Sequence, residues 1–421
     1  MPTMNHARNA FSALFQSLQL PNGQILPNRL AKAAMEESLA EYGQVPGSAI
    51  TRLYQRWADG GVGLMITGNV MVDSRAMTGP ASIALEAETP LEAFRPWAAA
   101  AKSRGAKVWM QISHPGRQVF AALGGTVWAP SDVALKLGKH SKLFGRPTAM
   151  SEAQIAEVIE RFAITAQRAE QAGFDGVQIH AAHGYLISQF LSPLSNQRHD
   201  GWGGSIEQRA RLLLEVIRAV RAKVSAGFSV AVKLNSADFQ RGGFSESDAQ
   251  AVVQMLNLEQ IDLLELSGGS YESPAMQGRT ADGRTLAREA YFLEFAKGLA
   301  AQARMPLMTT GGISRASVAC QVLDSGVAMV GMGSALAMAP DLPLQWARGE
   351  AVNAPIALVR WKDKVLVGIA TMALVRRQLH RMAQGQRPKP KVSPLFTLLC
   401  DQWRNKQRIQ RYRQWKAGAS A

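Results

Sequence analysis

Two imidazoles and a phenol leave one short stretch of this chain, His180-Ala-Ala-His183-Gly-Tyr185, followed by Leu-Ile-Ser-Gln-Phe-Leu-Ser192-Pro193. The preceding Phe174–Ile179 is an apolar run that reads as a buried strand. The three side chains therefore emerge at the C-terminal end of a strand, where α/β proteins place their chemistry. Imidazole N–H groups can hold a carbonyl oxygen, and a phenol can deliver a proton. His-x-x-His could also bind zinc, or simply be two surface histidines. No Cys, Asp or Glu nearby completes a zinc ligand set, so no metal is expected.

The elements that would position these groups repeat regularly. Apolar, β-rich runs fall near 30–35, 63–67, 108–113, 176–180, 229–234, 263–267, 306–310 and 328–331. Amphipathic stretches lie between them, such as 155–172, 206–224 and 287–303. Alternating strand and helix implies a parallel sheet. Eight units in one domain predict an α/β fold of the (β/α)8 TIM-barrel type, with a doubly wound sheet as the competing architecture. Ser151-Glu-Ala-Gln154 and Ser205-Ile-Glu-Gln208 read as capping boxes. The segment 114–150 is too long for an ordinary connection and predicts a small hairpin or lid over the barrel mouth.

Composition narrows the function. The 421 residues carry two cysteines, Cys320 and Cys400, which excludes a cysteine-ligated iron–sulfur cluster within the chain and a disulfide framework. The first twenty residues hold no long apolar region, and no stretch is apolar enough to span a bilayer, so a cytoplasmic protein is expected. Net charge is +15, but residues 351–421 alone hold 15 Lys/Arg against 2 Asp/Glu. The basic character belongs to a tail, and nucleic-acid binding is not expected of the body. The expected organisation is a barrel over 12–348 and a basic, largely helical extension over 349–421. Within that extension Leu395–Trp415 mixes apolar and basic residues at helical spacing. Such a helix can dock on the barrel and close its bottom, make a homo-oligomer contact, or lie on an anionic membrane surface. Trp403, Tyr412 and Trp415 among the cations leave nucleic acid as a further reading, although no known module emerges.

The order of motifs resembles the Old Yellow Enzyme family of FMN-dependent oxidoreductases. The matching residues are Asn28-Arg29, Gln111, His180-x-x-His183-Gly-Tyr185, Ser192-Pro193, Asn196 and Arg198. Asp200-x-Trp202-Gly-Gly-Ser205, Lys233, Gly311-Gly312 and Gly331-x-Gly333 follow in the same order. The resemblance covers about residues 12–345. It implies FMN as cofactor, NADH or NADPH as reductant, and a small-molecule substrate. It implies that Ala33, Ala34, Met35 and Asn69 border the flavin ring and that Gln111 meets its pyrimidine edge. Lys233 would be the cation beside that edge; the alternative is a strand-end lysine reaching solvent. Gly311, Gly312, Gly333 and Ser334, with Ser267, would receive the phosphate. His180 and His183 would hold the oxygen of an α,β-unsaturated carbonyl compound, and Tyr185 would protonate its α-carbon.

Two positions depart from the family pattern. Relatives often have Arg in place of Ser334, and Cys or Thr near Glu36. Glu36 either faces the flavin or pairs with a cation. Tyr271, Arg279, Arg284, Arg288 and Tyr291 are expected to border the mouth or remain solvated loop residues. Other acceptors (amines, nitro compounds, dienoyl thioesters) and a flavin-binding scaffold role acting through the tail are the alternative functions.

Overall fold

The protein is described here by a computed structural model covering residues 10–275, 290, 292–357 and 359–419. Eight parallel strands close into a barrel. They are β1 (Leu30–Lys32), β2 (Leu64–Ile66), β3 (Lys107–Ser113), β4 (Gly176–Ala181), β5 (Ser229–Asn235), β6 (Leu263–Ser267), β7 (Leu307–Thr310) and β8 (Met329–Met332). Closure is direct: β8 pairs back onto β1 with Val330 opposite Leu30. Around and beyond the wall run α1 (Ser48–Ala58), α2 (Phe94–Lys102), α3 (Glu152–Gln171), α4 (Leu186–Leu191), α5 (Ile206–Lys223) and α6 (Glu246–Leu256). They are followed by α7 (Leu293–Ala300), α8 (Ala316–Asp324), α9 (Ser334–Met338), α10 (Leu342–Ala347), α11 (Lys364–Ala383) and α12 (Pro394–Ala419). This is the (β/α)8 barrel expected from the alternating pattern.

Strand parity divides the core. Residues such as Val177, Ile179, Val230 and Val232 pack outward against the helices. Ala31, Leu64, Ile66, Trp109, Ala231, Leu263, Met308 and Met329 fill the inside. A short hairpin, in which Leu18–Gln19 pairs with Ile25–Leu26, adds Leu20 and Leu26 to the interior cluster and plugs its lower end. Burying one such side chain is worth roughly 1.5–3 kcal/mol. The plug is fixed by Trp109, whose indole N–H donates to Gln24 Oε1 at 3.0 Å.

Local signals start the helices. Ser151 Oγ accepts from Gln154 N, and Gln154 Oε1 accepts from Ser151 N, so the first capping box is complete. At α5 Ser205 Oγ accepts from Gln208 N; the reciprocal half is not found among the described hydrogen bonds. Segment 114–150 is not the hairpin its length suggested. Trp128–Ala129 pairs with Thr148–Ala149 in parallel, and two 3-10 turns fill the space between.

On β1, Lys32 points outward and is completely buried. Its ammonium donates to Ile66 O (2.7 Å), Tyr54 OH (3.0 Å) and Glu37 Oε1 (3.4 Å), and lies 4.7 Å from the Trp57 ring. Burial pulls its pKa down to about 8 against the opposing pull of Glu37. Glu37 also accepts from Tyr54 OH and Gly68 N, so one buried ion pair ties β1, α1 and the end of β2 together.

The extension docks on this frame. Arg52 donates to Ala383 O at 2.8 Å, and the buried His380 Nε2 donates to Glu37 O at 3.0 Å. The linker folds back along α11, where Gln378 exchanges two hydrogen bonds with Lys389. α12 then reaches the connections that follow β2 and β3. Tyr412 is buried among Met71, Met77, Ala84 and Leu123 and donates to Ser74 O. Arg413 and Lys416 donate to Ala122 O and Gly124 O. The extension therefore sits at the C-terminal face of the barrel, not at its bottom, because the apolar landing site is on the long upper connections.

Burial, with Arg408 adding to it, lowers the His380 pKa from 6.5 to about 3. The unfolded chain therefore takes up a proton over this range that the native state refuses. The contribution is full above pH 6.5 and is lost as pH falls towards 3. His380→Gln, which keeps a donor for Glu37 O, should make the acid limb of thermal unfolding shallower. Identical limbs for the two proteins would show that His380 is not buried in solution.

Candidate active site

The histidine–tyrosine cluster grows from the end of β4. Inward parity gives Gln178 and His180, and the chain then turns sharply. His183 and Gly184 both adopt positive φ, +62° and +74°. A non-glycine residue there is uncommon and costs energy. His183 is held by its own N–H, which donates to Asn235 Oδ1 at 3.1 Å. The two imidazoles stand perpendicular with centroids 5.1 Å apart, and the Tyr185 ring lies 4.8 Å from His180. Ala182 N donates to His180 Nδ1 at 3.3 Å, which leaves the proton on Nε2. His183 Nε2 meets Ser267 Oγ at 2.8 Å, and Tyr185 OH meets Tyr271 OH at 3.1 Å.

The electrostatics of the three groups are coherent. Burial, and then the nearby Lys233 charge, pushes His180 well below the usual imidazole range. His183 is pushed the same way by burial, Lys233 and His180. Both are neutral at neutral pH, and each carries a single N–H. Burial, Tyr271 and Glu36 push the Tyr185 phenol up, so it keeps its proton.

Below them lies a polar floor on an apolar barrel interior. Lys233 Nζ donates to Glu265 Oε1 at 2.8 Å. Thr310 Oγ1 donates to the same oxygen at 2.6 Å, Gln178 Nε2 donates to Glu265 Oε2 at 2.7 Å, and Gln111 Nε2 donates to Gln178 Oε1 at 2.8 Å. Five adjacent strands thus contribute one side chain each. Glu265, Gln178 and Thr310 were not singled out in the sequence. The signal was there in part: Glu265 shares inward parity with Ser267 on β6, and Gln178 shares it with His180 on β4.

The rim collects the glycines. β7 and β8 are neighbours, with Thr310 opposite Gly331. Gly311-Gly312 and Gly333-Ser334 therefore leave adjacent strand ends. Gly312 has φ +69°, a conformation that favours glycine, and both Gly312 and Ser334 are exposed. A Cβ at Gly333 would come within 3.7 Å of the Met35 side chain. Ser267, at the end of the neighbouring β6, meets His183 Nε2 through its hydroxyl. Ala33 N donates to Met332 O, and Ala34 packs on the interior cluster, so the β1 end runs alongside the rim.

Among the described residues Glu36 meets no cation, yet it does not stand free. It accepts from Thr78 Oγ1 (3.1 Å) and Ser82 Oγ (3.4 Å), while the cation is taken by its neighbour Glu37. Asn69 is buried beside Thr78. Tyr271 is fixed through the next residue: the buried Arg117 binds Glu272 at 2.6 Å, and Lys136 N donates to the same carboxylate. Arg279, Arg284, Arg288 and Tyr291 lie outside the described residues.

This donor set fits a flavin mononucleotide. Lys233 gives one of its three N–H groups to Glu265, His180 keeps its ring proton on Nε2, and a glycine-rich rim can bring backbone N–H groups to a phosphate. Residues 13–353 match the NADH:flavin oxidoreductase / NADH oxidase family, and the chain belongs to that family. It is 37% identical over 358 residues to the NADH-dependent flavin oxidoreductase iliE of Neonectria sp. (strain DH2), a match spanning 77% of this chain and 46% of that protein. It is 36% identical over 345 residues to the NADH-dependent flavin oxidoreductase iliE of Hypocrea jecorina (strain QM6a), over 76% of this chain and 85% of the relative. The solved old yellow enzyme homologue from Zymomonas mobilis superposes with a TM-score of 0.70 at 27% identity, over 82% of this chain and 95% of that one. The chain spans less than half the length of the Neonectria relative. Family membership carries FMN as cofactor and NADH or NADPH as reductant.

Glu265 screens the one buried cation of the floor. Removing its charge should favour the more electron-rich, reduced form of bound FMN. Glu265→Gln is therefore expected to raise the two-electron reduction potential by tens of millivolts, about 30 mV per 1.4 kcal/mol. Dye equilibration measures it, and an unchanged or lowered potential would show that Lys233 does not act on the flavin.

Proposed function

We propose that the protein reduces the activated C=C bond of α,β-unsaturated carbonyl compounds at the expense of NADH or NADPH. The observation that carries this reading is the pairing of two neutral imidazoles with a protonated phenol in one buried cluster. Bound FMN supplies the hydride chemistry between nicotinamide and alkene. The remaining work falls to the chain. His180 Nε2–H donates to the carbonyl oxygen. His183 is the second donor in the tautomer in which Ser267 Oγ–H donates to its Nε2 and the ring proton sits on Nδ1. Neither imidazole is charged, so their hold tightens as negative charge gathers on the oxygen, which is oxyanion-hole behaviour. Tyr185 delivers a proton to the α-carbon. Tyr271, 3.1 Å from it, can return a proton from the more exposed side.

Support comes from the family match over residues 13–353 and from the order of the motif residues around this cluster. Tyr185→Phe keeps the ring and removes the acid. Anaerobic bleaching of the flavin by NADH should stay within a few-fold of wild type. Reoxidation by 2-cyclohexenone should slow by about 10²–10⁴. In the wild type that reoxidation should be level from neutral pH to pH 10, since the phenol stays protonated beyond its ordinary value of 10.0. Reoxidation at the wild-type rate in Tyr185→Phe would remove Tyr185 from the chemistry.

A further inference from the structure

We propose that the exposed beginning of α12 is a docking surface for an anionic lipid bilayer. The two halves of this helix have different surroundings. The C-terminal half is anchored on the barrel through Tyr412, Arg413 and Lys416. The N-terminal half packs mainly through its inner side, with Arg377 of α11 also lying 5.9 Å from the Phe396 ring. Leu398 packs on Ala370 and Ala373 of α11, and Asp401 binds Arg376 at 2.6 Å. The outer side presents Leu395 (59% exposed), Phe396 (59%), Leu399 (56%) and Trp403 (62%). Spacings of three and four residues align them along one side of the helix. A single exposed apolar residue needs no explanation, but four large ones together mark an interaction site.

Charge decides between occupants. The patch lies in a segment with 15 Lys/Arg and 2 Asp/Glu. Lys389, Lys391, Arg404 and Lys406 are exposed on the linker and on α12 itself. A second copy of the chain meeting this patch symmetrically would set +13 against +13. An anionic bilayer accepts both features: apolar side chains enter the headgroup–acyl boundary, and lipid phosphates neutralise the cations. Trp403 suits that boundary, being apolar with one polar edge. The contact is peripheral, since no helix among the described residues is long and apolar enough to cross a membrane.

Co-sedimentation of the full-length, FMN-loaded protein with phosphatidylcholine vesicles, with and without phosphatidylglycerol, tests this. Wild type should bind the phosphatidylglycerol vesicles, release in high salt, and partition at least tenfold less onto pure phosphatidylcholine. The variant Leu395→Gln/Phe396→Gln/Leu399→Gln/Trp403→Gln changes only exposed side chains. It should keep wild-type flavin content and lose at least tenfold in partition. No binding by wild type, or binding unchanged in the variant, overturns the proposal. So does a wild-type dimer in sedimentation equilibrium that the variant converts to monomer, which would assign the patch to a second copy.

Discussion

Lys233 and Glu265 face each other at 2.8 Å with almost no access to water, and much of the C-terminal face of the barrel is arranged around that contact. A buried ion pair is tolerable only if its remaining lone pairs and protons are also satisfied. Thr310 and Gln178 do this for the carboxylate, and Gln111 joins through Gln178. Inward residues of β3 to β7 are thereby linked. A one-residue slip of any of these strands would turn its member outward, so the polar chain also guards the register. Below it the interior is apolar; above it the same ammonium helps keep both histidines neutral. The geometry of the floor depends on this contact, and the protonation state of the donors depends first on burial and then on the same ammonium.

A second buried pair does comparable work on the other side of the wall. Lys32 and Glu37 join β1, α1 and the end of β2, and the backbone carbonyl of Glu37 receives His380 from the extension. The tail is thus continuous with the support of the β1 end, which runs beside the glycine rim. Met35 and Glu36 sit between that rim and Glu37, so what holds Glu37 also limits where they can go. The long connections after β2 and β3 are covered by Tyr412 in turn.

The strands were legible because a buried parallel strand is a short, almost purely apolar run, and each predicted run lies within a few residues of an observed one. The α3 start was legible because a capping box is a local contract between residues three apart. The histidine–tyrosine cluster was legible because its members leave one strand end. Long-range partners were not. Parity places Glu265 inside the barrel but does not say that Lys233, 32 residues earlier, neutralises it. Glu36 and Glu37 are adjacent carboxylates, and only the irregular backbone after β1 decides which of them meets the ammonium. An amphipathic pattern reveals that α12 has an apolar side without revealing that the landing site is the upper face. The parallel pairing of 128–129 with 148–149 carries no sequence signature at all, since each strand is two residues long.

Neutral imidazoles are the better choice for the proposed reduction. An imidazolium would bind a ground-state carbonyl more strongly and so stabilise substrate as well as transition state, which does not accelerate chemistry once substrate is bound. A neutral N–H hydrogen bond still strengthens as the oxygen becomes anionic. The field of Lys233 helps enforce that choice, because a second positive charge close to it in a buried site is costly. Glu265 then has a balancing role. Without it the ammonium would dominate the floor; with it the pair is nearly neutral at a distance, yet the cation still acts on its immediate neighbours. Dipoles fall off faster than charges, so a screened lysine can govern two histidines at the strand ends without imposing its sign on the whole mouth.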